Sequence, residues 1–205
     1  MPPEARSAAA VFFVNGLTLT TYLVRIPALK QELHLNNGNL GLIGVLFAMA
    51  AIVAMQLVGR ASRRFGASAV LKVLLPVLSV TLAGVGLAGS LLTYCVAAIL
   101  LGAAHGAMDT TMNAYALSVQ QRLGQSVMNR CHAAWSISAV AASLLAAALS
   151  PLNLESHVLL PTAAVPLLLL SLLLGMDNPS GNIRPTVGGR PTIGADLTKG
   201  IPLCP

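Results

Sequence analysis

Six stretches of this chain are each about as long as the apolar core of a bilayer is thick, and nothing else in the sequence constrains the fold as strongly. A helix needs about 20 apolar residues to cross that core. The stretches run from about Ser7 to Val24, Leu40 to Val58, Ala69 to Gly89, Leu91 to Val119, Cys131 to Leu149 and Val158 to Gly175. Inside lipid every backbone N–H and C=O must find its partner within the chain, so helices are expected and open strands are not. Pro76, Pro161 and Pro166 fall within or near the ends of these stretches, where a membrane helix tolerates a bend. Only 9% of the residues are charged, against about a quarter in soluble domains. The expected class is an all-α integral membrane protein, with a six-helix bundle over residues 1–176 embedded in a lipid bilayer.

The charges orient the chain. With the N-terminus inside, Arg6, Arg60, Arg63, Arg64, Lys72, Arg122, Arg130, Arg184, Arg190 and Lys199 lie on the inner side, 10 of the 12 basic residues. Only Arg25 and Lys30 remain outside. The positive-inside rule therefore predicts both termini in the cytoplasm and, with no secretory signal peptide read at the N-terminus, a multi-pass protein of the cell inner membrane. The formal charge of +6 is accounted for by basic loops. No basic run interleaved with aromatics suggests nucleic acid as a partner.

Residues 177–205 are of different material, with 5 Pro and 5 Gly among 29 residues, and a disordered tail is expected there. Its "GADLTKG" lacks the glycine before lysine and the hydroxyl residue after it that a phosphate loop needs. Cys95, Cys131 and Cys204 show no metal spacing and are expected to be packing residues rather than disulfide partners. No nucleophile–base pair, metal cluster or nucleotide loop supports an enzyme, and no cofactor or metal is expected.

The stretch "GAAHGAMDTTMNAYA", Gly102 to Ala116, places polar groups where apolar ones are expected. Residues four apart share a helix face, so His105, Asp109 and Asn113 form one polar stripe about 12 Å long. Asp109 is the one acidic residue within the six stretches. A charge near the bilayer centre costs several kcal/mol unless it is paired or meets water, so the stripe should face other helices or an aqueous cavity. Two readings stay open: a site that takes up and releases a proton, or an acid retained for packing and held by His105 and nearby hydroxyls. Gly102 and Gly106, four apart, mark a face where another helix can approach closely. On the first stretch Asn15 and Thr18 share a face. They are candidates for solute contact, although a threonine can equally bond its own backbone. Arg25 either snorkels outward or points into a cavity as an anion or acid partner. His132 is expected in the headgroup region and Trp135 as an interfacial anchor.

Gly59, Arg64 and Gly66 in "GRASRRFGAS" resemble the signature loop of the major facilitator superfamily, with Arg63 where the family has an aspartate and Ala67 where a basic residue is usual. The stretches "RIPALKQEL", "GAAHGAMDTTMNA" and "NRCHAAWSISAV" resemble the bacterial fucose-permease-like facilitators, over about Ser7 to Gly175. The resemblance implies half of a twelve-helix fold, in which segments one and four line a central cavity. It thereby makes Asn15, His105, Asp109 and Asn113 cavity-facing candidates and Gly59, Arg63, Arg64 and Gly66 a gating loop. An acid on segment four is similar to the proton-coupling site of sugar symporters, which also have an acid on segment one where this chain has Asn15.

The expected function is secondary transport of a small solute, with Asp109 as proton carrier, His105 tuning it, and Asn15, Thr18 and Asn113 as solute or helix contacts. The alternative is a membrane interaction protein that transports nothing. For a chain with one six-helix half, three accounts stand: a truncated or frame-shifted product, a half-transporter that pairs with a second half or a second copy, or a fragment that binds other membrane proteins.

Overall fold

The computed structural model describes residues 1–177. The tail, with Arg184, Arg190, Lys199 and Cys204, lies outside the described residues. Among those described there are six long helices and no strand: α1 (Pro3–Glu32), α2 (Asn37–Phe65), α3 (Ala67–Gly86), α4 (Leu91–Leu123), α5 (Met128–Leu149) and α6 (Ser156–Asp177). All six are long and apolar enough to cross a membrane. They coincide with the six expected spans.

The helices outrun the hydropathy at their polar ends. α1, with 30 residues, is about 45 Å long, well beyond the roughly 30 Å hydrocarbon core. It carries Pro27 inside its last turns and reaches Glu32, so Arg25 lies within a helix and not after one. Local signals stop and start the elements. The Asn36 side chain accepts the Asn39 N–H at 2.8 Å to begin α2, and Ser90 and Thr93 form a reciprocal capping box for α4, each satisfying orphan donors of a first turn. Gly124 ends α4 in the left-handed conformation, at φ 61°, which glycine adopts without a Cβ penalty.

The loop expected between the second and third spans is corrected to a one-residue break. Gly59, Arg63 and Arg64 are helical residues in the last two turns of α2, and the break between α2 and α3 is Gly66 alone, at φ 85°. A glycine there reverses the chain in a single residue, so no extended loop is needed. Arg63 and Arg64 sit in the last turn, where cations complement the helix dipole. The Arg64 guanidinium lies 5.2 Å from the centre of the Phe65 ring.

The bundle is built from pairs: α2 packs chiefly on α4, α1 on α5 and α3 on α6, with α3–α4, α1–α4 and α1–α6 contacts joining the pairs. α1 and α4 form the centre. In their membrane-crossing stretches 50% and 56% of residues are buried, against 11% in α5. Lipid is as apolar as leucine, so association rests on close packing and hydrogen bonds, and glycines permit the closest approaches. A Cβ on Gly102 would lie 2.9 Å from Phe47 Cα, and one on Gly106 2.7 Å from Ala51 Cα. The Gly102–Gly106 face is therefore the seat of α2 on α4. Between α1 and α5 the same role falls to Gly16, whose Cβ would come within 2.8 Å of the Trp135 carbonyl oxygen. Cys95 and Cys131 are buried.

Replacing Gly106 by Val should weaken the bundle by about 1–3 kcal/mol or more, because the clash is with backbone and cannot relax by a side-chain rotation. The midpoint of denaturant unfolding in mixed micelles measures this, with Gly84→Val as control, since a Cβ at Gly84 meets nothing within 4 Å.

Candidate functional site

Three polar side chains from three helices meet near the middle of the bundle. Asn15 lies near the middle of α1, His105 near the middle of α4 and Trp135 about one turn from the middle of α5. The Asn15 amide, fully buried, joins them. It accepts the Trp135 indole N–H on Oδ1 at 3.1 Å, and its Nδ2 donates to His105 Nδ1 at 3.4 Å. A buried amide without partners would be costly, and here both of its ends are used. Phe47 of α2 closes the other side of His105, with ring centres 6.0 Å apart. Phe47 in turn stacks on Tyr22 at 5.9 Å, and the Tyr22 hydroxyl meets that of Tyr94 at 3.3 Å.

The stripe on α4 divides in two. His105 belongs to the Asn15 cluster. One turn further, Asp109 pairs with Asn113, whose Nδ2 donates to the Asp109 carbonyl oxygen at 2.8 Å and to its Oδ1 at 3.3 Å. Both residues are half-buried. The packing alternative expected His105 and hydroxyls to hold Asp109, whereas the hydrogen-bond partner of its carboxylate is the Asn113 amide. The ion pairs among the described residues are Arg25–Glu32, Arg122–Glu4 and His157–Glu155, and Asp109 is in none of them.

Thr18 does not join the site. It is fully buried and its hydroxyl donates to the Val14 carbonyl one turn back, at 2.8 Å. A hydroxyl bonded to its own helix and closed off from any open surface has no access to a solute, so the expected solute contact at Thr18 is corrected to a backbone one. Trp135 is corrected too. α5 starts at Met128, which puts the indole about 10 Å along the helix, and its N–H is spent on the buried Asn15 amide rather than on an interface. His132, one turn nearer the start of α5, is exposed and meets Phe12 edge-on at 5.3 Å. Reasoning on the sequence missed the role of Trp135; the available signal was Gly16 beside Asn15, a gap that admits a large partner.

Arg25 takes the second of its expected poses, partnering an acid at the edge of a cavity. Its Nε donates to Ser156 Oγ at 2.8 Å, its Nη2 to Glu32 at 3.2 Å and to the Leu154 carbonyl. Glu32 also accepts the Ser156 backbone N–H, at 3.0 Å. The guanidinium and carboxylate thus fasten the C-terminal end of α1 to the start of α6. Beside this clamp a cavity of about 810 Å³ opens between α1, α5 and α6, with Thr21, Arg25 and Glu32 on its polar rim and Ala142, Leu145 and Pro166 among its apolar walls. His105, Asp109 and Asn113 do not line it.

The sequence matches the Major Facilitator Superfamily over residues 8–198. It is 33% identical over 135 residues to the uncharacterised transporter y4wD of Sinorhizobium fredii, covering 66% of this chain and 36% of that protein. It is 26% identical over 182 residues to an uncharacterised MFS-type transporter of Yersinia pestis, covering 89% of this chain and 47% of that protein. It is 29% identical over 126 residues to the membrane protein MosC of Rhizobium meliloti, covering 62% and 31%. The chain spans about half the length of the curated relatives it matches.

Trp135→Phe keeps most of the ring and removes the N–H, leaving Asn15 Oδ1 buried without its donor. Stability should fall by about 1–3 kcal/mol. Thr18→Val removes a hydroxyl bonded only to its own turn and should cost less than about 1 kcal/mol. Unfolding midpoints of the two variants in the same micelles check the order.

Proposed function

This chain belongs to the major facilitator superfamily, and from that premise we propose that it serves in proton-linked secondary transport of a small solute. It is a multi-pass membrane protein built as six helices, half of a facilitator fold. Two relatives carry "transporter" in their names, which supports transport here. Such proteins work by rocking two halves about a site near the midplane. The second half is a proposed partner, supplied by another six-helix unit or by a second copy of this chain. The exposed apolar residues of α2 and α5, such as Val45, Ile52, Ile137 and Leu144, offer it a surface.

The observation that carries the reading is Asp109: a half-buried carboxyl on a membrane-crossing helix, outside every ion pair among the described residues. An acid held at that depth is expensive and is usually functional. In the proposed mechanism Asp109 takes the proton, Asn113 orients its carboxylate, and His105 adjusts its surroundings from one turn away. Solute contacts fall to His105, Asp109 and Asn113, which are partly open, while fully buried Asn15 positions His105. The orientation proposed is N-terminus and C-terminus in the cytoplasm of an inner membrane, which the distribution of basic residues supports. Gating by the basic end of α2, with Gly59, Arg63 and Arg64, would act at the Gly66 break.

In proteoliposomes loaded with a pH-sensitive dye and offered a panel of sugars, polyols and organic acids, one solute class should drive proton uptake. Asp109→Asn should abolish the proton movement. Solute-driven proton uptake that survives in Asp109→Asn overturns the proton role. Flux that needs an added six-helix partner identifies the assembly. Flux from neither arrangement favours the interaction-protein reading.

Topology has its own check. In a cysteine-free background, Arg60→Cys should react with an impermeant maleimide only in inverted vesicles. Asn153→Cys, in the α5–α6 connection, should react only in intact cells. The reverse pattern would invert the assignment.

A further inference from the structure

Trp135 settles which atoms of Asn15 and His105 carry hydrogens. An indole N–H can only donate, so the Asn15 atom it meets at 3.1 Å is the carbonyl oxygen. The other end of the amide is then the NH2 group, which is only a donor. His105 Nδ1, 3.4 Å from it, must supply a lone pair, and the neutral ring carries its proton on Nε2.

We infer that this three-helix chain is a proton-read latch, in which protonation of His105 releases Trp135 and so loosens α5 from α1. A proton arriving from water adds to the lone pair on Nδ1, and the ring then carries N–H on both nitrogens. Nδ1–H now faces the Asn15 NH2, donor against donor. Turning the amide over gives the imidazolium an acceptor but points NH2 at the indole N–H. One amide cannot satisfy both. The bond from the charged ring is roughly twice as strong as that from the neutral indole, so His105 keeps the Asn15 oxygen and Trp135 loses it.

The groups around the ring are few. Asp109 stands one turn along α4 and is the competing acceptor. From α1 come Asn15 and, behind Phe47, Tyr22, which is bonded to Tyr94. From α5 come Trp135 and, one turn toward the start of the helix, His132, which meets Phe12. α2 brings Phe47. The charged residues of α2 and α3, Arg60, Arg63, Arg64 and Lys72, lie in the last two turns of the one and the first two of the other.

The inference deepens the proton-linked reading of this site and rests on it for its consequence in transport. Its test is optical and needs no solute. Trp135 is the only tryptophan of the chain, so its emission reports on the latch alone. The whole chain in phospholipid nanodiscs is titrated from about pH 8 to about pH 4, across the imidazole range. Emission should shift to the red and acrylamide quenching should rise as His105 is protonated. The transition should persist in His132→Gln and Asp109→Asn and vanish in His105→Gln. It should also vanish in Asn15→Asp, whose carboxylate accepts from both donors at once. No transition in the native chain, or one that survives either His105→Gln or Asn15→Asp, overturns the latch. Helix content at pH 8 identifies any variant that fails to fold, and the remaining one of that pair decides. Loss of solute-driven proton uptake with the optical transition intact removes the transport reading alone; coupled uptake without the transition removes the latch alone.

Discussion

Helices in a bilayer gain almost nothing by trading lipid for one another's leucines, so their arrangement depends on where backbones can touch and where polar groups must be satisfied. In this bundle those places are few. Gly102 and Gly106 let α2 lie directly on α4, and Gly16 lets α5 lie directly on α1. The Asn15 amide then spans the centre, with its oxygen toward α5 and its nitrogen toward α4. Close approach and hydrogen bonding are linked here: without the gap at Gly16 the indole could not come within 3.1 Å of the amide.

α1 is held at three levels. At its N-terminal end Glu4 meets Arg122 of α4 at 2.7 Å, a pair exposed enough (45% for the arginine) to contribute little on its own. At its middle Asn15 serves two neighbours. At its C-terminal end the Arg25 guanidinium, only 20% exposed, gathers Glu32, Ser156 and the Leu154 carbonyl. Removing Glu32 or Ser156 would leave the largely covered guanidinium short of partners, which makes this group worth more than the Glu4–Arg122 pair. The helix with most polar attachments is thus also among the most buried.

Hydropathy alone places the six helices, because crossing lipid demands long apolar helices and the chain has little charge to disguise them. Gly102 and Gly106 are legible for the same reason: small residues four apart have one common use in a membrane. What is not legible lies where hydropathy stops. The last turns of α1 and α2 are polar, yet their backbones stay helical because each further residue satisfies one more hydrogen bond. Arg25 and the Gly59–Phe65 segment therefore read as loop and fold as helix. Trp135 reads as an anchor because an apolar run beginning at Cys131 puts it near a surface, while α5 begins three residues earlier and carries it inward. Thr18 shares a face with Asn15, but shared face does not mean shared exposure. Asn15 has two helices to satisfy it, and Thr18 turns back to Val14. The stripe of His105, Asp109 and Asn113 is real as a spacing, yet partners divide it, since His105 finds an acceptor and donor system across the bundle and Asp109 finds one on its own helix.

That division has a mechanical sense. α5 is the least buried of the crossing helices and leans mainly on α1. That seam includes the Gly16 contact and one side-chain hydrogen bond from Trp135, and the bond ends on the amide that also serves His105. An amide has one acceptor end and one donor end, so whatever alters the demand at His105 alters the supply to Trp135. A hydroxyl in place of Asn15 could donate and accept from a single rotating atom and would separate the two demands. The asymmetry of the amide is what ties the state of α4 to the hold on α5, and it does so at the depth where a carboxyl, Asp109, stands one turn away.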